Sequence, residues 1–414
     1  YGRLLSRNEV GSDPGEFALS LEAFHTGNLE RVRRFPYAML ATATHDHKRG
    51  EDVRARIAVL SEIAEEWAAT LRAWSTLNAP HRRAMPDAPP ASASPAQTSL
   101  APALLVDASS VQASHANASH DWAPGPTAEA MLYQTLVGSW PHELDAADEA
   151  GVHAFAERVA AWQLKALREA KLRTSWQAPD EAYEAASRDF LFDILARERR
   201  DGFLGELARF VARIARPGAV NGLLQTMLRL TSPGVPDLYQ GTELWDFSLV
   251  DPDNRRPVDF GLRAAWLTQT PPSAQLANWR DGRVKLGIVH RALTLRAVSP
   301  ALFLEGAYIP LAVSGSRARH VIAFARRHGD AYAIVVGTRF AASLLGRESD
   351  VPLVEPARWE DTWIELPAAL AGRAMFDCLS TAAPKTDERG RLFVRDALTA
   401  LPVALLVEEG VPKT

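Results

Sequence analysis

The spacing of apolar positions changes several times along this chain, and each change predicts a different element. Residues 1–36 are mixed, with turn chemistry at Gly11-Ser12-Asp13-Pro14-Gly15. Tyr37 to Thr44 is then a short apolar run, opened by Pro36 and closed by the polar burst His45-Asp46-His47-Lys48-Arg49; it predicts a buried parallel strand. From Glu51 to Asn78 apolar residues recur at helical spacing (Val53, Ile57, Leu60, Ile63, Trp67, Leu71, Trp74), predicting a long amphipathic helix broken near Ser61. Helical patterning resumes from Ala128 to about Ile214, with a breaker between Ser175 and Pro179, and again over Val220–Leu230 and Gly282–Leu295. Between the last two, Pro233 to Gly241 reads as a Pro/Gly-rich approach to a strand. Beyond Ser299 the period shortens. Segments such as His320–Phe324 and Ala331–Val336, separated by Arg327-His328-Gly329-Asp330, predict an antiparallel β domain.

Composition narrows the classes. A length of 414 residues suits two or three domains, and 47% hydrophobic with 23% charged residues is ordinary for a globular chain. Forty-six Lys and Arg against 50 Asp and Glu leave a net charge of −4, so there is no global basic field to hold a phosphate backbone, and nucleic acid is not an expected partner. The single cysteine, Cys378, can form neither an internal disulfide nor a thiolate metal site, which fits a reducing cytoplasm. No run of about 18 apolar residues predicts a membrane span, and the first residues carry no basic-then-apolar signal. Residues 84–126 are dominated by Ala, Ser and Pro and predict a flexible surface insertion; His115 and His120 inside it lack metal-ligand spacing. The chain opens Tyr1-Gly2-Arg3-Leu4-Leu5, without methionine and already core-like, as expected after processing or for the C-terminal piece of something longer.

Three groups of residues could carry chemistry. Thr44-His45-Asp46 follows the predicted strand, where barrel enzymes place working groups; a carboxylate and an imidazole there can grip sugar hydroxyls. Equally, Asp46 or the pair Glu51 and Asp52 could open the following helix as a cap. The second group is Pro233 to Asp259, with Tyr239, Glu243 and Asp251-Pro252-Asp253-Asn254-Arg255-Arg256; its alternative is a rigid turn-rich loop whose arginines pair with nearby carboxylates. Third, Trp140, Trp176 and Trp245 lie near turn residues and could stack on sugar rings, whereas Trp67 and Trp74 lie on the helix stripe as core. The chain has no phosphate-cradling glycine loop, no His-rich zinc pattern and no nucleophile elbow, so no cofactor or metal is expected. Glu9, ahead of the Gly11–Pro14 turn, reads either as a catalytic-looking acid or as part of that turn.

Taken in order, these segments resemble the maltooligosyl trehalose synthase family of the α-amylase superfamily. The resemblance is carried by Leu5–Gly11, Ala41–Asp46, Lys48–Arg56, Tyr133–Pro141, Lys171–Trp176 and Gly234–Asp259. It implies an intramolecular transglucosylation, in which the reducing-end α-1,4 linkage of a maltodextrin becomes an α,α-1,1 linkage. Such a retaining reaction needs a nucleophile and an acid/base, two carboxyl groups roughly 5–5.5 Å apart. In family order both precede the His-Asp segment, and none of the roughly 44 residues ahead of it here match them. The resemblance therefore implies an incomplete C-terminal portion: Asp46 as the transition-state stabiliser, with His45, Lys48, Arg49, Trp176, Tyr239, Glu243, Trp245 and Arg255 as substrate contacts. The implied partners are a maltooligosaccharide or α-1,4-glucan and the missing N-terminal barrel half.

The fold expected is α/β: the C-terminal part of a (β/α)₈ barrel with a large helical insertion, followed by an all-β sandwich. Its expected divisions are residues 1–50 (late barrel strand with the His-Asp segment), 51–218 (helical insertion), 219–298 (last barrel strand and helices) and 299–414 (β-sandwich). The chain departs from the family pattern at His47, where threonine is usual, and at Gly50, where serine is usual and a looser turn is expected. Competing expectations are an α-amylase-type hydrolase and a non-catalytic glucan-binding remnant.

Overall fold

The computed structural model describes residues 16, 18–85, 122–196, 201–267, 270–346 and 349–408. Leu5–Gly11, Glu9, and His115 and His120 of the Ala/Ser/Pro-rich segment lie outside the described residues. Contacts divide the described residues into two units: a helical one (66–137 and 144–209) and a larger mixed one (up to 65, 138–143 and from 210 onward). This division differs from the expected breaks at 50, 218 and 298.

The mixed unit begins with helix α1 (Leu21–Arg34), whose first turn is closed by Ser20 accepting from the Ala23 N–H. Strand β1 (Met39–Leu40) and helix α2 (Glu51–Ala58) follow. A 3₁₀ turn (Val59–Ser61) separates α2 from α3 (Ala64–Asn78), so the expected helix is broken at the expected place.

The helical unit holds most of α3, the β2–β3 hairpin (Arg83–Ala84 with Trp122–Ala123), α4 (Pro126–Ser139), α5 (Glu149–Ala170) and α6 (Glu181–Leu195). Trp74 meets Tyr133 and Phe203 edge-on in its core, and those two rings tilt against each other, with centroids 5.2–5.6 Å apart. The hairpin corrects the edges of the segment predicted at 84–126. Ala84 pairs with Trp122, Ala123 is fully buried, and Pro126 already opens a helix.

Helix α7 (Phe203–Thr231) leads back into the mixed unit and to strand β4 (Val235–Pro236), then α8 (Phe260–Trp266), α9 (Arg283–Val298) and the short α10 (Pro300–Leu304). β1 and β4 pair in parallel, Met39 with Val235 and Leu40 with Pro236; among the described residues they form a two-stranded sheet and no barrel closes.

The remaining strands form two antiparallel sheets. Strands β5 (Ala307–Pro310), β7 (Val321–His328), β8 (Ala331–Thr338), β10 (Met375–Asp377) and β12 (Val403–Glu408) form one, ordered β10-β12-β8-β7-β5. Strands β6 (Val313–Ser314), β9 (Trp363–Glu365) and β11 (Arg391–Phe393) form the other. Period-2 alternation places the larger sheet between two cores. Ala323, Ile334 and Leu406 pack with Ile364 and Leu392 of the smaller sheet. Phe324, Val335 and Leu405 face Leu223 and Met227 of α7 and Ile288 and Leu295 of α9. The β region is thus not a separate body with a boundary at Ser299, because its larger sheet shares a core with two helices.

Candidate active-site loop

The parallel register means that the chain leaves β1 and β4 at the same end, bringing the 44–50 loop and the 237–255 segment together. Gly50 N–H donates to Ser248 O (2.8 Å) and Val250 N–H to Lys48 O (3.1 Å), flanking an antiparallel bridge of Arg49 with Leu249. Asn254 Nδ2 donates to His45 O at 2.9 Å, clasping the tip. Inside the loop the Thr44 N–H donates to His47 Nδ1 at 2.7 Å, and the Asp46 N–H to Thr44 Oγ1 at 3.3 Å. An accepting Nδ1 places the proton of the neutral imidazole on Nε2. Burial, reinforced by the Arg54 charge, lowers the His47 pKa to about 4, which suits that neutral form.

His45 is exposed, and the Asp46 side chain is half exposed with Lys48 Nζ 3.6 Å away. Asp46 does not cap α2: Gly50 occupies the N-cap position and no side chain closes it. The capping reading of Asp46 is thereby corrected, and its carboxylate stands open at the strand end. Gly50 also does more than loosen a turn. A Cβ there would stand 2.8 Å from the backbone oxygen of Asp246, so the close pairing with the 246–250 segment requires glycine.

Beneath the loop lies a buried ionic cluster. Lys285 Nζ, on α9, is 2.6 Å from Glu51 Oε1, 2.7 Å from Asp52 Oδ2 and 3.0 Å from Leu244 O. Arg229 Nη1, on α7, contacts Glu51 Oε2 at 2.7 Å, and the Thr42 hydroxyl donates to the same oxygen. Asp52 Oδ2 also accepts the Asp246 N–H at 2.7 Å. The two carboxylates thus each touch a cation, Glu51 two of them. Burial would raise the Glu51 carboxyl, but Lys285 and Arg229 hold it below its usual range. Burial would lower Lys285, and the two carboxylates outweigh it and raise it. Burial pushes Asp52 up, with Lys285 opposing. Lys285 and Arg229 were not singled out from the sequence, although a lone lysine on the apolar Val284–Ile288 stretch was a legible signal.

The other expected contacts divide. Tyr239 and Glu243 follow β4; the Tyr239 carbonyl accepts from Thr242 Oγ1 (2.8 Å) and Glu243 pairs with Arg263 at 3.0 Å. Arg255 is exposed and pairs with Asp251 at 2.8 Å, the turn-rich-loop alternative. Arg49 is wholly buried, which corrects its expected contact with substrate: its backbone bridges to Leu249 and its side chain is packed away from solvent. Trp140 is likewise buried. Trp245 is half-buried and donates through Nε1 to Trp279 O at 2.6 Å. Trp176 belongs to the helical unit, where it is 53% exposed with the Arg168 guanidinium 4.9 Å from its ring centroid. Among the described residues no helix is long and apolar enough to cross a membrane.

No protein-family model matches the chain. Comparison with known proteins points to one class, proteins named as maltooligosyl trehalose synthases. In particular, the chain is 36% identical over 370 residues to a Mycobacterium tuberculosis protein (strain H37Rv) provisionally named maltooligosyl trehalose synthase, a match covering 88% of this chain and 38% of the relative. The solved maltooligosyltrehalose synthase of Arthrobacter ramosus matches 98% of the chain at 32% identity with a TM-score of 0.69, over 43% of its own length. A Sulfolobus tokodaii structure, provisionally named for the same activity, covers 99% of the chain at 27% identity with a TM-score of 0.66, over 44% of its own length. The resemblance carried by the motifs is thus borne out along most of the chain, which spans about 38% of the length of the curated relatives it matches.

Proposed function

We propose that this chain is the C-terminal portion of a (1→4)-α-D-glucan 1-α-D-glucosylmutase, which converts the reducing end of a maltodextrin to an α,α-1,1 linkage by intramolecular transglucosylation in trehalose biosynthesis. The observation that carries the reading is the open Asp46 carboxylate at the C-terminal end of β1, beside the end of the parallel β4, in a chain whose relatives carry the synthase name. That is where a barrel enzyme keeps its working groups.

In this reading Asp46 supplies negative charge opposite the oxocarbenium ion that develops at the transferred sugar, and His45 hydrogen-bonds the same sugar. Tyr239, Glu243 and Lys48 line the approach, and Arg255 and the half-buried Trp245 sit at its margin. Trp176 offers an exposed indole for a sugar face. The nucleophile and the acid/base come from barrel strands ahead of this sequence, as the last strands of a (β/α)₈ barrel require. Glu51 and Asp52 are buried against cations, which leaves Asp46 as the open acid of the loop. A cytoplasmic location suits the lone, half-buried thiol of Cys378.

The test is reconstitution. The chain is mixed with the portion of the Mycobacterium tuberculosis relative that precedes the matched region, and maltopentaose is followed for loss of reducing ends. Loss without release of glucose supports transglucosylation. Release of new reducing ends would move the assignment to a hydrolase, and no reaction even in a single joined polypeptide would defeat it.

A further inference from the structure

The peptide that joins His45 to Asp46 is held at both ends. Its carbonyl, His45 O, accepts from Asn254 Nδ2 at 2.9 Å, and its amide, the Asp46 N–H, donates to Thr44 Oγ1 at 3.3 Å. The atoms of a peptide unit lie in one plane, so two fixed ends fix that plane and with it the Cα of Asp46. The threonine end is local, two residues away. The asparagine end reaches back across 209 positions of the chain.

The residue type suits the task. A carbonyl only accepts, so the side chain that grips it must donate, and a primary amide does so without bringing a charge. Asn254 Oδ1 is buried and makes no hydrogen bond among the described residues, which leaves His45 O as the partner of this side chain. A buried amide oxygen left unpaired is unfavourable, so local stability alone does not select asparagine here. The base of the anchor is itself fastened. Asn254 lies in the 3₁₀ turn Asp253–Arg255, and Asp253 Oδ2 accepts the Leu249 N–H at 2.8 Å. Leu249 in turn bridges to Arg49, on the returning arm of the loop whose tip Asn254 holds.

We infer that Asn254 is a positioning residue, which fixes the orientation of the Asp46 carboxylate through the His45 carbonyl and so acts on turnover without touching substrate. The inference rests on the function proposed above and deepens it, because it assigns the geometry of the open acid to a side chain remote in sequence.

The experiment compares Asn254→Ala and Asn254→Asp with the parent. Ala removes the donor; Asp keeps the shape and sets a carboxylate against the carbonyl. Melting and hydrogen exchange are measured on the full chain. Turnover of maltopentaose is measured on the chain joined to the portion of the Mycobacterium tuberculosis relative that precedes the matched region. Both variants should melt within about 2 °C of the parent. Amides of the stretch from Thr42 to Arg49 should exchange at least about fivefold faster. A misaligned charge should lower kcat about tenfold or more while KM stays within about threefold. One further reading separates positioning from a structural role: in an Asp46→Asn background, Asn254→Ala should change kcat by less than about twofold, since the group it orients no longer carries the charge. Unchanged exchange, an unchanged kcat, or a loss as large in the Asp46→Asn background as in the parent overturns the inference. So does a melting loss beyond about 5 °C in both variants, which would make Asn254 structural. If the joined parent is itself inactive, the proposed function fails, and exchange in the full chain still decides whether Asn254 holds the loop.

Discussion

Lys285 Nζ lies 2.7 Å from Asp52 Oδ2, both side chains buried, and this contact helps tie helix α9 to the first turn of α2 below the His45–Asp46 loop. The same ammonium holds Glu51 at 2.6 Å. Replacing Lys285 with Met keeps the bulk but takes from two buried carboxylates the cation that touches both. Removing one partner of a buried pair typically costs about 3–5 kcal/mol. Lys285→Met should therefore lose that much in denaturant unfolding or fail to accumulate as soluble protein. A loss below about 1 kcal/mol, the scale of an exposed pair, would show that the cluster is not structural.

His47 gives the loop a pH dependence with a defined sign. Its pKa is lowered to about 4 from an ordinary 6.5, so between those values the unfolded chain binds a proton that the folded loop refuses. The contribution of the loop to stability is intact above about 6.5 and is lost as pH falls toward 4, because a protonated Nδ1 cannot accept the Thr44 N–H. Nitrogen chemical shifts of a labelled imidazole should report an Nε2–H tautomer at neutral pH and a midpoint well below 6. His47→Thr should abolish that part of the acid sensitivity. A midpoint near 6.5 would contradict the arrangement.

The β2–β3 pairing sets the limits of the dispensable segment. Ala84 and Trp122 are register partners, so a short Gly/Ser bridge can close the gap between Met85 and Trp122 without moving either strand. Replacing 86–121 in this way should leave the melting midpoint within roughly 5 °C. Deleting 84–126 should lower it far more, because it removes the hairpin, the fully buried Ala123 and the first residue of α4. Equal effects of the two deletions would contradict this boundary.

Elements with a long regular period were legible before the structure. The helices around Trp74 and Leu286 and the β7–β8 hairpin about Gly329 follow their apolar spacing to within a few residues. β1 is shorter than expected: the eight-residue run Tyr37 to Thr44 predicts a strand, and only Met39 and Leu40 form one, because a strand extends only as far as a partner pairs with it. The His45–Asp46 loop was legible from its residue types at a strand end. The cluster beneath it was not, since Glu51, Arg229 and Lys285 are joined by contacts across more than 170 positions that no local spacing encodes. Gly50 was misjudged for the same reason: its constraint is the Asp246 backbone, remote in sequence. The buried Trp140 and Arg49 show that a tryptophan near a turn, or an arginine in a polar burst, does not by itself mean exposure.

The account stands on Asp46, and one measurement addresses it directly: turnover and melting of Asp46→Asn on the same sample, in the chain joined to the portion of the Mycobacterium tuberculosis relative that precedes the matched region. Asn keeps the shape and removes the charge. Its side chain is half exposed and caps no helix, so the melting curve should not move. Loss of a preorganised charge that acts in the transition state should lower kcat by about 10²–10³ while KM changes little. That split is the predicted result, and turnover within about twofold of the parent at unchanged melting would contradict a catalytic role for Asp46.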